Sequence, residues 1–159
     1  IIIPCYNEQS TIRLLLDALR AQTFPLADIE VVIADGMSTD NTRDEIVAFK
    51  QEHPNLDVRI VDNTVRSIPS GLNRAIENSR GEIIVRLDAH SKPYPDYVER
   101  CVVALEENRG DNVGGVWARS SAARADPYNY AHLHAGGPGG RTACGSGSRG
   151  DGSGRCDCE

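Results

Sequence analysis

The sequence predicts an α/β fold: a Rossmann-like, mostly parallel sheet with helices on both faces. Short apolar runs alternate along the chain with segments whose apolar residues recur at helical spacing. The resulting order, βαβαβαβαβ, is typical of parallel sheets joined by right-handed crossovers. The strands are continuous apolar runs rather than alternating patterns, which indicates that both faces of the sheet are buried.

Five runs are predicted as strands. The first covers residues 1–3, a short apolar run ended by Pro4 that predicts a buried strand or its end. The next three are 29–34 (IEVVIA), 58–62 (VRIVD) and 82–87 (EIIVRL), and a fifth is expected at 112–117. Their apolar, mostly β-branched composition suits a buried sheet.

Four helices are predicted from apolar residues at i, i+3, i+4 and i+7. The first begins near residue 12, the next two cover 41–52 and 70–79, and the fourth has Pro95 in its first turn. The side chain of Ser10 or Glu8 is expected to cap the first helix. Arg80-Gly81 is expected to end the third, because glycine tolerates the left-handed geometry of a helix C-terminus.

Composition excludes several classes of protein. The 159 residues are enough for one domain, and the net charge of −6 argues against a nucleic-acid-binding face. No apolar run approaches the roughly 18 residues of a membrane span. Five cysteines without a regular framework do not suit a disulfide-stapled scaffold. The chain opens on Ile1 without Met or a basic segment, so we predict no signal peptide and expect residues before it.

The domain is predicted to cover residues 1–117. Residues 136–159 hold nine of the 15 glycines and three of the five cysteines, with almost no larger apolar side chain. Such a segment cannot bury enough apolar surface to offset the entropy of ordering it, so we predict that it is disordered. Residues 118–135 are left unassigned. Our hypothesis is that this change in composition marks a misread or frameshifted continuation of a longer protein.

Acidic residues follow the predicted strands. Glu8 comes soon after the first strand and Asp35 directly after the second. Asp62 is the last residue of the third strand, and Asp88 follows the fourth. Ligands of open parallel sheets bind outside the carboxyl ends of the strands. The sequence therefore predicts a functional site at that edge of the sheet.

Two of these positions have both a functional and an ordinary interpretation. Asp88 and His90 are two residues apart, and a carboxylate and an imidazole so placed can converge on one divalent cation, which in turn holds an anion such as a diphosphate. Alternatively, Asp88 caps the following turn and His90 is merely exposed. Asp35 is either a turn residue beside Gly36 or a ligand-binding residue at the strand tip.

Other chemistries have less support. Cys5 has no evident Cys-His-Asn arrangement around it, and neither GxGxxG nor GxxxxGK[ST] is present. A zinc site in the C-terminal part of the chain lacks a CxxC pair. Its candidate ligands are His132, His134, Cys144, Cys156 and Cys158. Candidate anion contacts, for which a solvated surface position is the ordinary alternative, are Arg66, Arg74 and Arg86.

Four short motifs are specific in combination. They are IIIPCYNE (1–8), VIADGMSTDNT (32–42), GLNRA with RGE (71–75 and 80–82) and LDAH (87–90). Together they resemble family 2 glycosyltransferases with the GT-A fold, in which a DxD metal motif stands where LDAH stands here. The resemblance covers residues 1–117. It is closest to a subgroup including succinoglycan-biosynthesis glycosyltransferases, which shares DGMSTD, RxDAH and a YPxxYV-like stretch, here YPDYV (94–98).

The resemblance implies site residues and a cofactor. The implied donor-binding residues are Pro4, Tyr6, Glu8, Asp35 and Asp88, and the implied metal ligands are Asp88 and His90. Asp35 would accept a hydrogen bond from the nucleobase, commonly uracil. The cofactor would be a divalent cation, Mn²⁺ or Mg²⁺; His90 replaces the second Asp of the family motif, and imidazole suits Mn²⁺.

The implied reaction is an inverting sugar transfer from a nucleotide sugar, commonly a UDP-sugar, to a glycan or polyprenyl-linked acceptor in exopolysaccharide or cell-envelope synthesis. A separate carboxylate would take the acceptor proton. In the family it belongs to the second half of the domain, so no catalytic base is named here. The expected location is cytoplasmic, or the cytoplasmic face of a membrane through segments outside this chain.

Three alternatives remain at this point. A sugar nucleotidyltransferase usually carries a Gly-rich, Lys/Arg-containing loop after the first strand, which is absent. A non-catalytic fragment would bind a nucleoside diphosphate without transferring anything. A receiver-like α/β module would carry acidic residues after the first strand and have no use for a sugar nucleotide.

Overall fold

The computed structural model describes residues 1–107 and 116–118. The strands are β1 (Ile2–Cys5), β2 (Glu30–Asp35), β3 (Asp57–Asp62), β4 (Ile83–Val85) and β5 (Val116–Ala118). The helices are α1 (Ile12–Arg20), α2 (Thr42–Glu52), α3 (Ile68–Asn78) and α4 (Tyr97–Glu107), with a 3₁₀ turn at Leu26–Asp28. Residues 119–135, the tail 136–159 and the candidate ligands of the disfavoured zinc site lie outside the described residues.

The sheet is parallel except at one edge. β2 pairs in parallel with β1 on one side and with β3 on the other. A parallel bridge between Ile2 and Arg86, and a 3.1 Å bond from Leu87 N to Ile2 O, place the end of β4 beside β1. β5 pairs with β4 in antiparallel fashion, which is compatible with the predicted mostly parallel sheet. The spatial order is therefore β3-β2-β1-β4-β5.

Helices cover both faces of this sheet, which confirms the predicted α/β class. On one face α1, α2 and α4 bury residues such as Leu16, Phe49 and Val98 against Ile3 and Ile33. On the other face α3 packs Leu72 and Ala75 against alternate residues of the same strands. Strands that are covered from both sides need apolar residues at nearly every position, which is the pattern read in the sequence.

The order of the strands determines where a ligand can enter. From β1 the chain proceeds outward through β2 and β3, and then α3 returns it to β4 on the opposite side of β1. The loops after β1 and β4 therefore leave in opposite directions. Such a reversal opens a crevice at the carboxyl ends of the two strands.

Several local expectations are wrong. Pro4 does not end β1, which continues to Cys5 with Pro4 opposite Ala34 of β2. α3 begins at Ile68 rather than at residue 70, because Ser67 caps it.

No side chain caps α1; the backbone carbonyl of Glu8 accepts from Ile12 N instead, at 2.9 Å. α3 ends at Asn78, and Gly81 is not left-handed but donates its N–H to Glu30, at 2.6 Å. α4 begins at Tyr97, so Pro95 precedes the helix rather than standing in its first turn.

None of the helices in the described part of the chain combines the length and the apolar character needed to cross a bilayer.

Candidate functional site

A cleft of about 270 Å³ lies at the carboxyl ends of β1 and β4. Its volume is close to the roughly 300 Å³ at which small-molecule pockets begin. Five of the six residues singled out in the sequence line it: Pro4, Tyr6, Glu8, Asp88 and His90. The sixth, Asp35, lies behind the wall and is fully buried.

The loop after β1 is fixed by the loop after β2. Asn7 has a left-handed backbone (φ 53°), and its N–H donates to Ser38 Oγ at 2.9 Å. Its side-chain oxygen accepts from Thr39 N at 2.8 Å, and Glu8 N donates to Thr42 Oγ1 at 2.8 Å. Asparagine tolerates this backbone better than most non-glycine residues, and its side-chain amide is short enough to hydrogen-bond to nearby backbone. The DGMSTDNT segment therefore serves as a support for the β1 loop.

Asp35 forms the centre of that support. One carboxylate oxygen accepts from the Ser38 hydroxyl, and the other accepts from Ser38 N at 3.1 Å and Arg43 Nη1 at 3.0 Å. Arg43 also donates to Asp62 at 2.9 Å, which joins the ends of β2 and β3. These carboxylates raise the pKa of the Arg43 guanidinium, with the Asp62 hydrogen bond the largest cause. Both oxygens of Asp35 are thus already engaged within the protein.

Asp88 and His90 are placed differently, on the open side of the cleft. The side chain of Asp88 is 40% exposed, and its Oδ1 accepts from Arg86 Nη2 at 3.0 Å. His90 is 66% exposed, and its Nδ1 lies 3.4 Å from Glu8 Oε1. The turn that carries them is closed by Ser91 N, which donates to Asp88 O at 2.9 Å. The turn thus brings a carboxylate and an imidazole to the same cleft.

The donor chemistry of this side suits a divalent cation. Carboxylate oxygen and imidazole nitrogen are both ligands for Mn²⁺, whereas Mg²⁺ favours oxygen alone. In residues 1–107 and 116–118 no three His, Cys, Asp or Glu side chains are grouped to hold a metal by themselves. Asp88 and His90 could therefore hold a cation only together with oxygens supplied by a ligand or by water.

The third wall of the cleft comes from the loop after β3, which sequence reasoning largely missed. This wall is formed by Asn63, Arg66, Ser67 and Ile68. Asn63 is 4% exposed; its Nδ2 donates to Ser67 O at 2.9 Å, while its Oδ1 has no hydrogen-bond partner within residues 1–107 and 116–118. The strand-end rule that selected Asp35 applies equally to Asn63, which follows β3 directly.

Of the three arginines considered as anion contacts, Arg66 and Arg86 line the cleft. Arg74 does not; it donates to the Asp62 carbonyl at 3.4 Å and pairs with Glu77. Arg66 has a left-handed backbone (φ 59°), and its N–H donates to Asn63 O at 3.1 Å, which closes a turn. Positive charge thus lies on two sides of the cleft.

Cys5 lines the cleft but is unsuited to act as a nucleophile. It is a free, buried thiol, and burial followed by the nearby carboxylates of Asp35 and Glu8 raises its pKa to about 12. The thiolate is the nucleophilic form of cysteine and is scarce near neutral pH at such a pKa. The structure thus agrees with the absence of a catalytic triad pattern around Cys5 in the sequence.

Comparison with known proteins gives one consistent family. The model of "Glycosyl transferase family 2" matches residues 1–145. The succinoglycan biosynthesis protein ExoA of Rhizobium meliloti is 40% identical over 115 residues, covering 71% of this chain and 34% of that protein. The first curated relatives are all longer: the chain spans 34–38% of their length.

Solved structures show the same architecture. The mannosyltransferase PcManGT of Pyrobaculum calidifontis, in complex with GDP-Man and Mn²⁺, matches with a TM-score of 0.63 and 35% identity over 65% of this chain and 31% of that one. TarS 1–349 of S. aureus, in complex with UDP-GlcNAc, matches with a TM-score of 0.59 and 25% identity over 69% and 31%. These structures confirm the predicted GT-A fold, and the chain belongs to glycosyl transferase family 2.

Proposed function

We propose that the chain is the donor-binding part of a glycosyltransferase that moves a sugar from a nucleotide-sugar donor to a glycan or lipid-linked acceptor. The observation that carries this proposal is the meeting of Glu8, Asp88 and His90 at the cleft between the ends of β1 and β4. Exopolysaccharide or cell-envelope synthesis is the role proposed from the similarity to ExoA. A cytoplasmic location, at a membrane face or free of it, belongs to the same proposal.

The nucleotide is proposed to lie against the β1 side of the cleft. Pro4 and the half-exposed ring of Tyr6 offer an apolar wall, and Tyr6 packs on Gly36. An aromatic ring that is open on one face can stack with a nucleobase. Asp35 is proposed to act mainly by holding the loop that carries Gly36. Direct contact between Asp35 and the nucleobase stays a prediction, and it requires Ser38 or Arg43 to release a carboxylate oxygen.

The diphosphate is proposed to lie on the β4 side. Asp88 and His90 would hold a divalent cation there, and the cation, when bound, would stabilise the negative charge that develops on the diphosphate leaving group. Arg66 and Arg86 would add positive charge around the same group. Asp88 is suited to contact either the cation or the ribose, since its Oδ2 has no hydrogen-bond partner among the described residues.

The donor sugar and base are proposed only as a class. One similar structure holds GDP-Man and another UDP-GlcNAc, so similarity does not select between uracil and guanine. A UDP-sugar is the proposal carried from the resemblance. We propose that the base that deprotonates the acceptor lies outside residues 1–107, since the chain spans only 34–38% of the first curated relatives.

Calorimetric titration tests this function. The full chain is titrated with UDP, GDP, CDP and ADP, each with and without Mn²⁺. We expect one of the four to bind clearly more tightly than the rest, with Mn²⁺ strengthening binding and the His90→Ala variant losing most of that metal dependence. A wild-type chain that binds none of them, or binds all equally without regard to Mn²⁺, would contradict the proposal. Binding without transfer to any acceptor would favour a non-catalytic binding fragment.

A further inference from the structure

A chain of side-chain contacts links the two strands that flank the cleft. Thr11 Oγ1 donates to Glu8 Oε2 at 2.5 Å, and Glu8 Oε1 lies 3.4 Å from His90 Nδ1. Glu8 and Thr11 belong to the loop after β1, and His90 to the turn after β4. The similarity to the family assigns His90 to the metal position and Glu8 to the rim of the nucleotide site, but it gives no role to this contact.

The backbone of Glu8 is held as firmly as its side chain. Its N–H donates to Thr42 Oγ1 at 2.8 Å, and its carbonyl accepts from Thr11 N at 3.0 Å and Ile12 N at 2.9 Å. Glu8 is therefore held through both its backbone and its carboxylate, and its side chain is only 25% exposed. His90, in contrast, is 66% exposed and has no other hydrogen bond in the described part of the chain. Glu8 is the fixed partner and His90 is the group that it orients.

We propose that Glu8 is a positioning residue that holds neutral His90 in its Nδ1–H tautomer. A carboxylate accepts hydrogen bonds and cannot donate them, so the nitrogen that faces Glu8 must carry the proton. Nε2 then keeps its lone pair and is the nitrogen available to a cation. An imidazole whose other nitrogen donates to a carboxylate is also a more basic ligand. This inference rests on the proposed function for the identity of the cation, but not for the tautomer itself.

The competing arrangement is that Glu8 is itself a metal ligand. Two contacts speak against it: one carboxylate oxygen of Glu8 accepts from Thr11, and the other faces His90. In addition, Glu8, Asp88 and His90 are not among any three-ligand group in the described residues. In the positioning arrangement each proposed ligand has its own support, because Arg86 holds Asp88 Oδ1 as Glu8 holds His90. The two arrangements predict different behaviour of a glutamine at position 8.

The first experiment reads the tautomer directly, without metal or nucleotide. The full chain is labelled with ¹⁵N-histidine, and the two ring nitrogens of His90 are observed at a pH where the ring is neutral. The His90→Gln variant assigns the signal. We expect the Nδ1–H form to predominate in the wild type and in Glu8→Gln, and the Nε2–H form to predominate in Glu8→Ala. An unchanged tautomer in Glu8→Ala would overturn the proposal.

Glutamine is expected to preserve the contact for a structural reason. Its Oε1 can accept from His90 Nδ1 while its amide N–H donates to Thr11 Oγ1, whose own hydroxyl can turn to the Glu8 carbonyl, 3.3 Å away. The matched control is Glu52→Ala, because Glu52 Oε2 lies 3.9 Å from His53 Nε2 at the end of α2, and neither residue lines the cleft. That variant must leave the His90 signals unchanged, and a change there would contradict a local effect.

The second experiment measures Mn²⁺ affinity in the presence of saturating UDP. Loss of a carboxylate behind a metal-ligating histidine typically weakens metal binding about 10-fold to 100-fold. We expect about 10-fold weaker Mn²⁺ binding in Glu8→Ala and a change below about 3-fold in Glu8→Gln. A Glu8→Gln variant as weak as His90→Ala would show that Glu8 is a ligand and overturn the positioning role. A wild type that binds neither Mn²⁺ nor UDP would refute the proposed function alone, since the tautomer is judged separately.

Discussion

The turns after β2 and β4 both contain an aspartate at the end of a strand, yet the two carboxylates have opposite surroundings. Asp35 is fully buried, and both of its oxygens accept hydrogen bonds from Ser38 and Arg43. Asp88 is 40% exposed, and only its Oδ1 has a partner, Arg86, among the described residues. Position at a strand end is therefore not sufficient to make a carboxylate available to a ligand. The groups packed around it decide whether it supports the site or takes part in it.

The strongest test of this contrast removes Asp35. The Asp35→Ala variant leaves Arg43 and Ser38 without their buried partner, and breaking a buried ion pair by removing one member typically costs about 3 kcal/mol or more. Because Arg43 is partly exposed, we expect the free energy of unfolding in urea to fall by about 2 kcal/mol. Asp62→Ala, which removes the exposed partner of the same arginine, is the control and should cost less than about 1 kcal/mol. Equal losses of unfolding free energy in the two variants would show that burial does not set the contribution of Asp35 to stability.

Removal of Asp88 should instead weaken ligand binding and leave the free energy of unfolding almost unchanged. We expect Asp88→Ala to change the free energy of unfolding by less than about 1 kcal/mol, because its ion pair is partly exposed. Calorimetry should show Mn²⁺-dependent UDP binding weakened at least about 10-fold, which corresponds to about 1.4 kcal/mol. Asp57→Ala is a close control. Asp57 is 41% exposed and paired with Arg80, but it stands at the start of β3, at the end of the sheet opposite to the cleft. If Asp57→Ala weakens binding as much as Asp88→Ala, the cleft is misplaced.

Gly36 offers a smaller perturbation, at the contact between the turn after β2 and Tyr6 in the loop after β1. A Cβ at this position would lie 3.2 Å from Tyr6 Cδ2 and 3.3 Å from Tyr6 Cβ. The half-exposed Tyr6 can shift, so we expect Gly36→Ala to cost about 1 kcal/mol of stability at most and to weaken nucleotide binding about 3-fold. In Gly81→Ala the nearest atoms would be 3.5 Å away, and binding measured by the same titration should not change. Unchanged binding in both variants would remove Tyr6 from the nucleotide site.

Cys5 should give the smallest effect. Its pKa is raised from 9.0 to about 12, mainly by burial. The neutral thiol therefore contributes stability below pH 9, and this contribution is lost as pH rises from 9 towards 12. At pH 8 we expect Cys5 to resist iodoacetamide in the folded chain and to react in urea, as followed by mass spectrometry of its peptide. Rapid alkylation of Cys5 in the folded chain would show that the thiol is open and ionised.

The element order of the described residues, and the edge of the sheet at which the cleft lies, are predictable from the sequence. Apolar runs such as 29–34 and helical spacing such as Ile12 to Leu19 depend on local periodicity, which burial on one or both faces imposes directly. The motifs then identified Asp88 and His90 as cleft residues, and the structure places both there.

What the sequence could not supply depends on contacts between distant residues. A local sequence pattern cannot show that Ser38 and Arg43 hydrogen-bond to Asp35. The register of β2 against β3 places Asp62 beside Asp35, and Arg43 pairs with both carboxylates. It also cannot show that β5 is antiparallel, since a strand's direction depends on the connection that leads to it. Ser67 caps α3, and the sequence Ser-x-Pro at residues 67–69 indicates such a start, whereas the apolar spacing predicts a start at residue 70.

The central claim, that the cleft between β1 and β4 holds a metal-chelated nucleotide, can be tested in one NMR measurement. Mn²⁺ broadens nearby amide signals, and the ends of a six-residue strand such as β2 are about 17 Å apart. With UDP and substoichiometric Mn²⁺, we expect the amide signals of Gly36, Ala89 and His90 to disappear while those of Glu30 and Gly81 persist. Broadening centred on Glu30 and Gly81, or spread evenly over the chain, would contradict the account.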